Sequence, residues 1–473
     1  MNEKIEDSNI IKAVVLSIFD ENGPTPKIFW PEDLEEQAGL LIAMKTISLL
    51  MGDSVYQDSE GQVDTVNYFG ILPFPDVKLN GLTYFFLIPD ETARGHALAA
   101  TITVLIEEEN RVFFYQNMKY LRVMIDRAAT KIQAVKKTDE QKKIMDDIRD
   151  ELIEFAKDLK DPFSTKRQIK ILFTGLDKAG KSSFMYGIKR KYSEIIKSLP
   201  TKGVARSEEK IFDEQNSVIT VWDLGGQSVY REKYLEKSKI YLYNVDLMFF
   251  FIDIQDIERL DESLDLFRKI IKSLIELEEF PPIVVCLNKF DPDIKGSKEI
   301  FRNLEIIAEE IKNNSDRFFI KIFQTSIFDQ WSLITAYSFG INQLSPNREL
   351  FKNQLKKFAK KTSSDAILLL NENGIILSNY SKPDVSERVF EISAPHFQNL
   401  YKTFKEFKLL KQDFIVSSGI GDGSMKVIFK KITIEKYNLY LLLLIKNSTD
   451  IQKIEKNLPE FSENIIDLIH TYL

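Results

Sequence analysis

The feature that most constrains this chain is the run Gly175-Leu176-Asp177-Lys178-Ala179-Gly180-Lys181-Ser182. It stands between an apolar stretch, Gln168 to Thr174, and a helix-compatible segment that begins Ser183-Phe184-Met185-Tyr186. The run fits the pattern G-x-x-x-x-G-K-[ST] in the context that pattern needs, a strand before it and a helix after it. The glycines let the backbone turn tightly enough to aim its N–H groups inward, and the helix that follows adds its positive dipole end. A loop of this kind makes a polyphosphate site, with Lys181 reaching the outer phosphates and the Ser182 hydroxyl placed for Mg²⁺. Its candidate binding residues are Gly175, Asp177, Lys178, Ala179, Gly180, Lys181, Ser182 and Ser183.

At 473 residues the chain is too long for a single core, and about three domains are expected. The pattern divides it into 1–135, a charged amphipathic linking helix over 136–165, an alternating segment over 166–345, and 346–473. A net charge of -7 gives no electrostatic reason to expect nucleic acid. The single cysteine, Cys286, sits inside Ile283-Val284-Val285-Cys286-Leu287, so it reads as strand core in a reducing, cytoplasmic setting. His96, His396 and His470 are far apart, which argues against a histidine metal site or triad. The longest apolar runs, Leu247 to Ile252 and Leu439 to Ile445, fall well short of the roughly 18–20 residues of a membrane span. Neither end carries a leader or lipidation pattern, so membrane association is expected to be peripheral, through a partner or a folded surface.

Before the linking helix, Ile11 to Phe19 and Pro26 to Trp30 read as a hairpin, Glu32 to Met51 as a helix, and Val66 to Pro73 and Leu82 to Ile88 as strands. From Thr92 to about Val135 the pattern is mostly helical, interrupted by Arg111 to Tyr115. In the linking helix, Ile144, Ile148, Leu152, Phe155 and Leu159 form an apolar face, which predicts packing on a neighbouring domain rather than on anionic lipid. From Gln168 to about Gln343 strands and helices alternate, with Lys210 to Phe212 and Val218 to Trp222 as strands and Val229 to Tyr243 as one helix. This predicts a mainly parallel α/β sheet with ligand loops at the carboxyl ends of its strands. Residues 346–473 read as helix, two strands, a helix around His396 to Leu410, three strands and a closing helix. Neither flanking region contains a catalytic constellation.

The motifs of the alternating segment fall at those strand ends. Asp223-Leu224-Gly225-Gly226-Gln227 follows the strand Val218 to Trp222. Asp223 suits Mg²⁺ held through water, Gly226 lets a backbone N–H approach the γ-phosphate, and Gln227 is placed to orient the attacking water. Asn288-Lys289-Phe290-Asp291 ends another buried strand. Asp291 can accept from N1–H and the exocyclic amine of guanine, a donor pair adenine lacks, so the nucleotide is GTP or GDP. Thr325-Ser326-Ile327 would complete the base pocket. Thr201, after Pro200, can reach Mg²⁺ only while the γ-phosphate is present, which makes its loop a switch.

These residues resemble the Ras superfamily. The phosphate loop, Pro200-Thr201, Trp222-Asp223-Leu224-Gly225-Gly226-Gln227 and Asn288-Lys289-Phe290-Asp291 look like those of Arf-type GTPases. Thr325-Ser326-Ile327-Phe328-Asp329 and the domain behind it look like Rag GTPases, whose tail is a roadblock-type dimerisation domain. The order of elements in 1–135 resembles a longin domain. The resemblance implies a central P-loop GTPase domain flanked by two α+β domains, longin-like and roadblock-like. It implies a nucleotide-controlled switch at intracellular membranes or in nutrient signalling, and a homo- or heterodimer through the roadblock-like domain. Catalysis would rest on Lys181, Thr201 and Gln227, and Mg²⁺ on Ser182, Thr201 and Asp223.

No arginine stands three residues before Thr201, where some G proteins supply a finger in cis. Turnover is therefore expected to be slow until an activating protein acts, such an arginine being worth ~10³–10⁵ in rate. An exchange factor is expected as well. The alternative from a different class is a GTP-binding scaffold with little or no hydrolysis. A P-loop kinase using ATP conflicts with Asn288 and Asp291.

Overall fold

The computed structural model describes residues 9–50, 68–93, 96–135, 137–158, 167–212, 217–315, 317–383, 385, 397–398, 400–404, 406–408, 414–420 and 424–472. The N-terminal elements are β1 (Ile11–Asp20), β2 (Gly23–Trp30), α1 (Glu36–Leu50), β3 (Tyr68–Phe74), β4 (Leu79–Pro89), β5 (Ala97–Glu107), α2 (Val112–Gln133) and α3 (Thr138–Asp158). The central segment runs β6 (Arg167–Gly175), α4 (Lys181–Ile188), α5 (Tyr192–Lys197), β7 (Val204–Glu209), β8 (Ser217–Leu224), α6 (Ser228–Glu236), α7 (Ser238–Tyr241) and β9 (Leu247–Asp253). It continues through α8 (Leu260–Glu276), β10 (Ile283–Asn288), α9 (Lys298–Asn313), β11 (Ile320–Thr325) and α10 (Gln330–Leu344). The C-terminal elements are α11 (Arg348–Thr362), β12 (Ser364–Asn371), β13 (Ile376–Ser381), β14 (Phe414–Ile420), β15 (Met425–Ile434), β16 (Tyr437–Lys446) and α12 (Gln452–His470). Of the helix expected around His396 to Leu410, residues 397–398, 400–404 and 406 are helical, and 396, 399, 405 and 409–410 lie outside the described residues.

The chain forms two compact units. One comprises 1–167 with 346–364 and 448–473, the other 168–345 with 365–447. In the first unit a five-stranded antiparallel sheet has the order β2-β1-β5-β4-β3. Residues 97–107, expected as helix, are the central strand β5. Both of its faces are buried, so it lacks the polar alternation that marks a one-sided strand and reads as a continuous apolar run. Its β-branched residues settle the matter locally, with Thr101 bonded to Thr46 and Thr103 to Thr83, each at 3.1 Å. Arg111 to Tyr115 opens α2 rather than interrupting a helix. The apolar face of α3 is covered as expected: Met145, Ile148, Leu152 and Ala156 are buried in the same core as Ile125 of α2 and Val14 of β1. Leu159 lies outside the described residues.

In the second unit a six-stranded sheet has the order β11-β10-β9-β6-β8-β7. β6, β9, β10 and β11 run parallel, and the edge hairpin β7–β8 is antiparallel. An apolar layer of Phe173, Phe184, Phe249 and Phe251, with ring centroids 4.9–6.4 Å apart, locks β6 and β9 under α4. Two expectations are corrected here. The edge strand is the polar Val204–Glu209, not Lys210 to Phe212. Ile211 and Phe212 instead leave the sheet and are buried, with Asn371 Nδ2 donating to Ile211 O at 2.7 Å and Phe212 edge-on to Tyr437. The single helix expected over Val229 to Tyr243 is two helices, α6 and α7, because Lys237 leaves helical geometry at φ -103° and ψ 40°. A second antiparallel sheet in this unit has the order β13-β12-β16-β15-β14. Among the described residues no helix is long and apolar enough to cross a membrane.

Cys286 is 0% exposed on β10, and burial pushes its thiol well above the usual range, outweighing a weak opposing contribution from Thr325. A thiol reagent should therefore leave the native protein unmodified and titrate one equivalent after denaturation. Rapid reaction of the native protein would contradict the strand-core assignment.

Candidate functional site

The phosphate loop folds where β6 ends because Gly175 takes φ +140° and a Cβ there would lie 2.4 Å from Phe251 O. Lys178 and Gly180 also hold positive φ, 63° and 88°, which turns successive N–H groups toward one concavity before α4 begins at Lys181. Lys181 is buried and donates to Gly175 O at 3.1 Å and Leu176 O at 2.8 Å, so its ammonium spans the loop from within. Burial lowers its pKa to about 8 even though Asp223 and Asp177 pull the other way. An anionic phosphate in the loop would favour the charged form further.

A cleft of about 310 Å³ opens over this loop. Asp177, Lys178, Gly180, Lys181, Ser182 and Ser183 line it together with Thr201, Gly226 and Gln227, and Asn288, Lys289, Asp291 and Ile327 complete the wall. Residues far apart in sequence thus share one concavity, at the carboxyl ends of the parallel strands. Ser182 Oγ donates to Asp223 Oδ2 at 2.5 Å and stands 3.2 Å from Thr201 Oγ1, which is itself 3.3 Å from Asp223 Oδ2. The other carboxylate oxygen, Asp223 Oδ1, is buried without a hydrogen-bond partner. Burial raises the Asp223 pKa, against the pull of Ser182 and Lys181. Two hydroxyls and a half-satisfied buried carboxylate form a hard oxygen donor set, and these residues fit Mg²⁺. Gly225 and Gly226 allow the close approach of the Asp223 loop. Gly225 N donates to Gly203 O at 2.7 Å, and a Cβ on Gly226 would lie 2.1 Å from Asp177 N.

At the other end of the cleft, Asn288 is 2% exposed and joins three loops. Its Nδ2 donates to Ala179 O at 2.7 Å, and its Oδ1 accepts from Thr325 Oγ1 at 2.9 Å. A Cβ on Gly180 would lie 2.3 Å from that Nδ2, so the phosphate loop needs glycine there to meet the amide. Asp291 Oδ1 accepts from Ser326 Oγ at 2.5 Å and Oδ2 from Gln255 Nε2 at 3.0 Å, which fixes the carboxylate facing the cleft. Lys289 is held by Asp253 at 2.6 Å. Thr325 and Ser326 are absent from the lining; they support Asn288 and Asp291 from behind.

Sequence reasoning missed Arg259. It lies just before α8, and its Nη2 donates to Asp177 in the phosphate loop at 2.7 Å while Nε holds Glu262 at 2.8 Å. Glu262 also pairs with Arg231 of α6. Burial alone would raise the Asp177 pKa, but the hydrogen bond and charge of Arg259 hold the carboxyl below its usual range. No local motif marks Arg259 or Gln255, because their partners lie 82 and 36 residues away. Arg206, near the switch loop in sequence, stacks on Trp222 at 3.9 Å from the ring centroid.

Comparison with known proteins agrees with this geometry. Residues 170–395 match the family described as Gtr1/RagA G protein conserved region. The chain is 26% identical over 260 residues to GTP-binding protein GTR1 of Saccharomyces cerevisiae, covering 52% of this chain and 82% of that protein. It is 24% identical over 229 residues to Ras-related GTP-binding protein B of Rattus norvegicus, covering 46% of this chain and 58% of that protein. It is 33% identical over 129 residues to ADP-ribosylation factor F of Dictyostelium discoideum, covering 27% of this chain and 63% of that protein. The chain thus resembles Ras-superfamily G proteins of the Rag/Arf type, with the Gtr1/RagA match confined to residues 170–395.

Proposed function

We propose that this chain is a slowly GTP-hydrolysing molecular switch whose flanking domains, longin-like and roadblock-like, couple nucleotide state to assembly at intracellular membranes. The observation that carries the reading is the meeting at the phosphate loop of Ser182 from the first turn of α4, Thr201 from the loop before β7 and Asp223 from the end of β8. Thr201 reaches this place from 19 residues beyond Ser182. Its approach is useful where a γ-phosphate and Mg²⁺ reward it, and loss of that phosphate removes the reward. Ser182, Thr201 and Asp223 would hold Mg²⁺, which supplies charge stabilisation to the phosphates when bound. Lys181 offsets phosphate charge from inside the loop, and Asp291 reads guanine. Gln227, exposed at the start of α6 and lining the cleft, orients the attacking water.

Nearby arginines are already engaged: Arg206 on Trp222, Arg231 on Glu262, and Arg259 on Asp177. None of the three lines the cleft, which supports slow turnover and a partner that activates it. An exchange factor would reload GTP. The roadblock-like domain would pair with another domain of its kind, and a cytoplasmic, peripherally membrane-associated location follows from the same reading.

In single-turnover assays with Mg²⁺, Gln227→Leu should lower the hydrolysis rate by at least tenfold while leaving GTP bound. Equal rates for the two proteins would instead favour a GTP-binding scaffold that does not use Gln227. Arg259→Ala should raise the GTP dissociation constant by about tenfold or more, because it leaves the Asp177 carboxylate uncompensated beside the phosphates and hydrogen bonds to charged groups are worth about 1.5–3 kcal/mol. Asp177→Ala combined with Arg259→Ala should recover most of that loss in a fluorescent-nucleotide titration. Additive effects of the two changes would contradict the coupling.

A further inference from the structure

The N-terminal sheet ends on β3, an edge strand whose outward N–H and C=O groups need partners. At Ile71 both are taken by one side chain. Asn347, the residue before α11, accepts from Ile71 N–H through Oδ1 at 2.7 Å and donates to Ile71 O through Nδ2 at 2.9 Å. An amide with acceptor and donor side by side copies the two groups a neighbouring strand residue would offer. The same Nδ2 reaches Thr471 Oγ1 at 2.7 Å, just beyond α12. Tyr115 of α2 donates its hydroxyl to Thr471 O at 2.9 Å, and Arg111 donates to His470 O at 3.0 Å.

Apolar packing surrounds this clasp. Gly70 of β3 has no side chain where Leu350 of α11 sits, and a Cβ there would lie 2.4 Å from Leu350 Cδ1. Phe351 of α11 meets Tyr472 edge-on at 5.6 Å, and Phe358 stacks on Phe461 of α12 at 4.4 Å. Lys45 of α1 pairs with Asp467 of α12 and donates to Pro73 O at 2.6 Å. All of these residues lie within one compact unit. Yet α11 directly precedes, and α12 directly follows, the C-terminal sheet in sequence. Numbered from its own first strand, each antiparallel sheet has the order 2-1-5-4-3. The chain therefore carries two copies of one sheet topology, and the helices that bracket the second copy are held by the first.

We propose that the helix pair α11–α12 takes the N-terminal domain of its own chain as its partner. α11 and α12 are thereby covered in cis, and any dimer through the roadblock-like domain would form through its other surfaces. Asn347 and Thr471 are 0% exposed, so undocking would strand buried polar groups, and a partner of some kind is needed. A tethered domain acts at an effective concentration on the order of millimolar, which a second copy at micromolar concentration does not match. The inference goes beyond the nucleotide-switch reading and stands whether or not that reading holds.

The test uses the wild-type full chain. Equal amounts of ¹⁴N- and ¹⁵N-labelled protein are co-purified after unfolding and refolding together, then treated with a carbodiimide that joins a lysine to a carboxylate in direct contact. The Lys45–Asp467 cross-linked peptides are read by mass spectrometry. The expected result is pairs of uniform isotope only, ¹⁴N with ¹⁴N and ¹⁵N with ¹⁵N. Half the pairs being mixed would place the partner in a second chain, and absence of this cross-link would remove the docking itself; either overturns the proposal. Asn347→Asp, which replaces the donor facing Ile71 O by an acceptor, should lower the cross-link yield several-fold. An unchanged yield would overturn the role given to the clasp.

Discussion

A single buried amide holds the nucleotide site together. Asn288 ties the phosphate loop, through Ala179 O, to the end of β11, through Thr325, while its own strand end carries Asp291 to the far side of the cleft. At 2% exposure neither bond is exchanged for water, so the loss of either would leave a buried donor or acceptor unsatisfied. The distance between the phosphate loop and the Asp291 end of the cleft is set through this residue, and Gly180 lacks a side chain where Asn288 Nδ2 approaches. The remaining features of the site build outward from that fixed frame: Asp177 is neutralised by Arg259, and Asp223 gathers the two hydroxyls.

The same device recurs elsewhere. Asn371 donates to Ile211 O after the β7 edge strand and accepts from Ile375 N–H at 2.9 Å in its own turn. Asn347 does the equivalent at the open edge of β3. In each case a side-chain amide satisfies backbone groups of a segment remote in sequence, where a ladder hydrogen bond is unavailable. This is a low-cost way to join α/β and antiparallel layers without adding strands, and it places specific, directional contacts where hydrophobic packing alone would leave the register free.

The legibility of the sequence follows the range of the interactions. The phosphate loop, Asp223 to Gln227 and Asn288 to Asp291 are short motifs whose geometry is encoded within a few residues of strand end and turn, and the structure gathers them around one cleft. Thr201 was readable from its place after Pro200 in the loop between the first helix and the second strand, and the structure brings it 3.2 Å from Ser182 Oγ. β5 was misread because burial on both faces erases the period-two signal, and Lys210 to Phe212 because their apolar character serves burial outside the sheet rather than a place in it. Arg259, Gln255 and Asn347 left no local trace: Asn347 meets Ile71 across 276 residues, and nothing in the run Ser345-Pro346-Asn347 announces an edge-strand partner.

The central claim is that this cleft selects a guanine nucleotide through Asp291 while Lys181 and the Mg²⁺ donor set hold its phosphates. Calorimetric titration of nucleotide-free protein with GTP and with ATP, each with Mg²⁺, tests it most directly. A site whose buried polar groups match one base rejects a base lacking the matching donors by up to on the order of 10⁴. The account predicts GTP binding tighter than ATP by at least a hundredfold, with the preference largely lost in Asp291→Ala. Equal or tighter binding of ATP would contradict it.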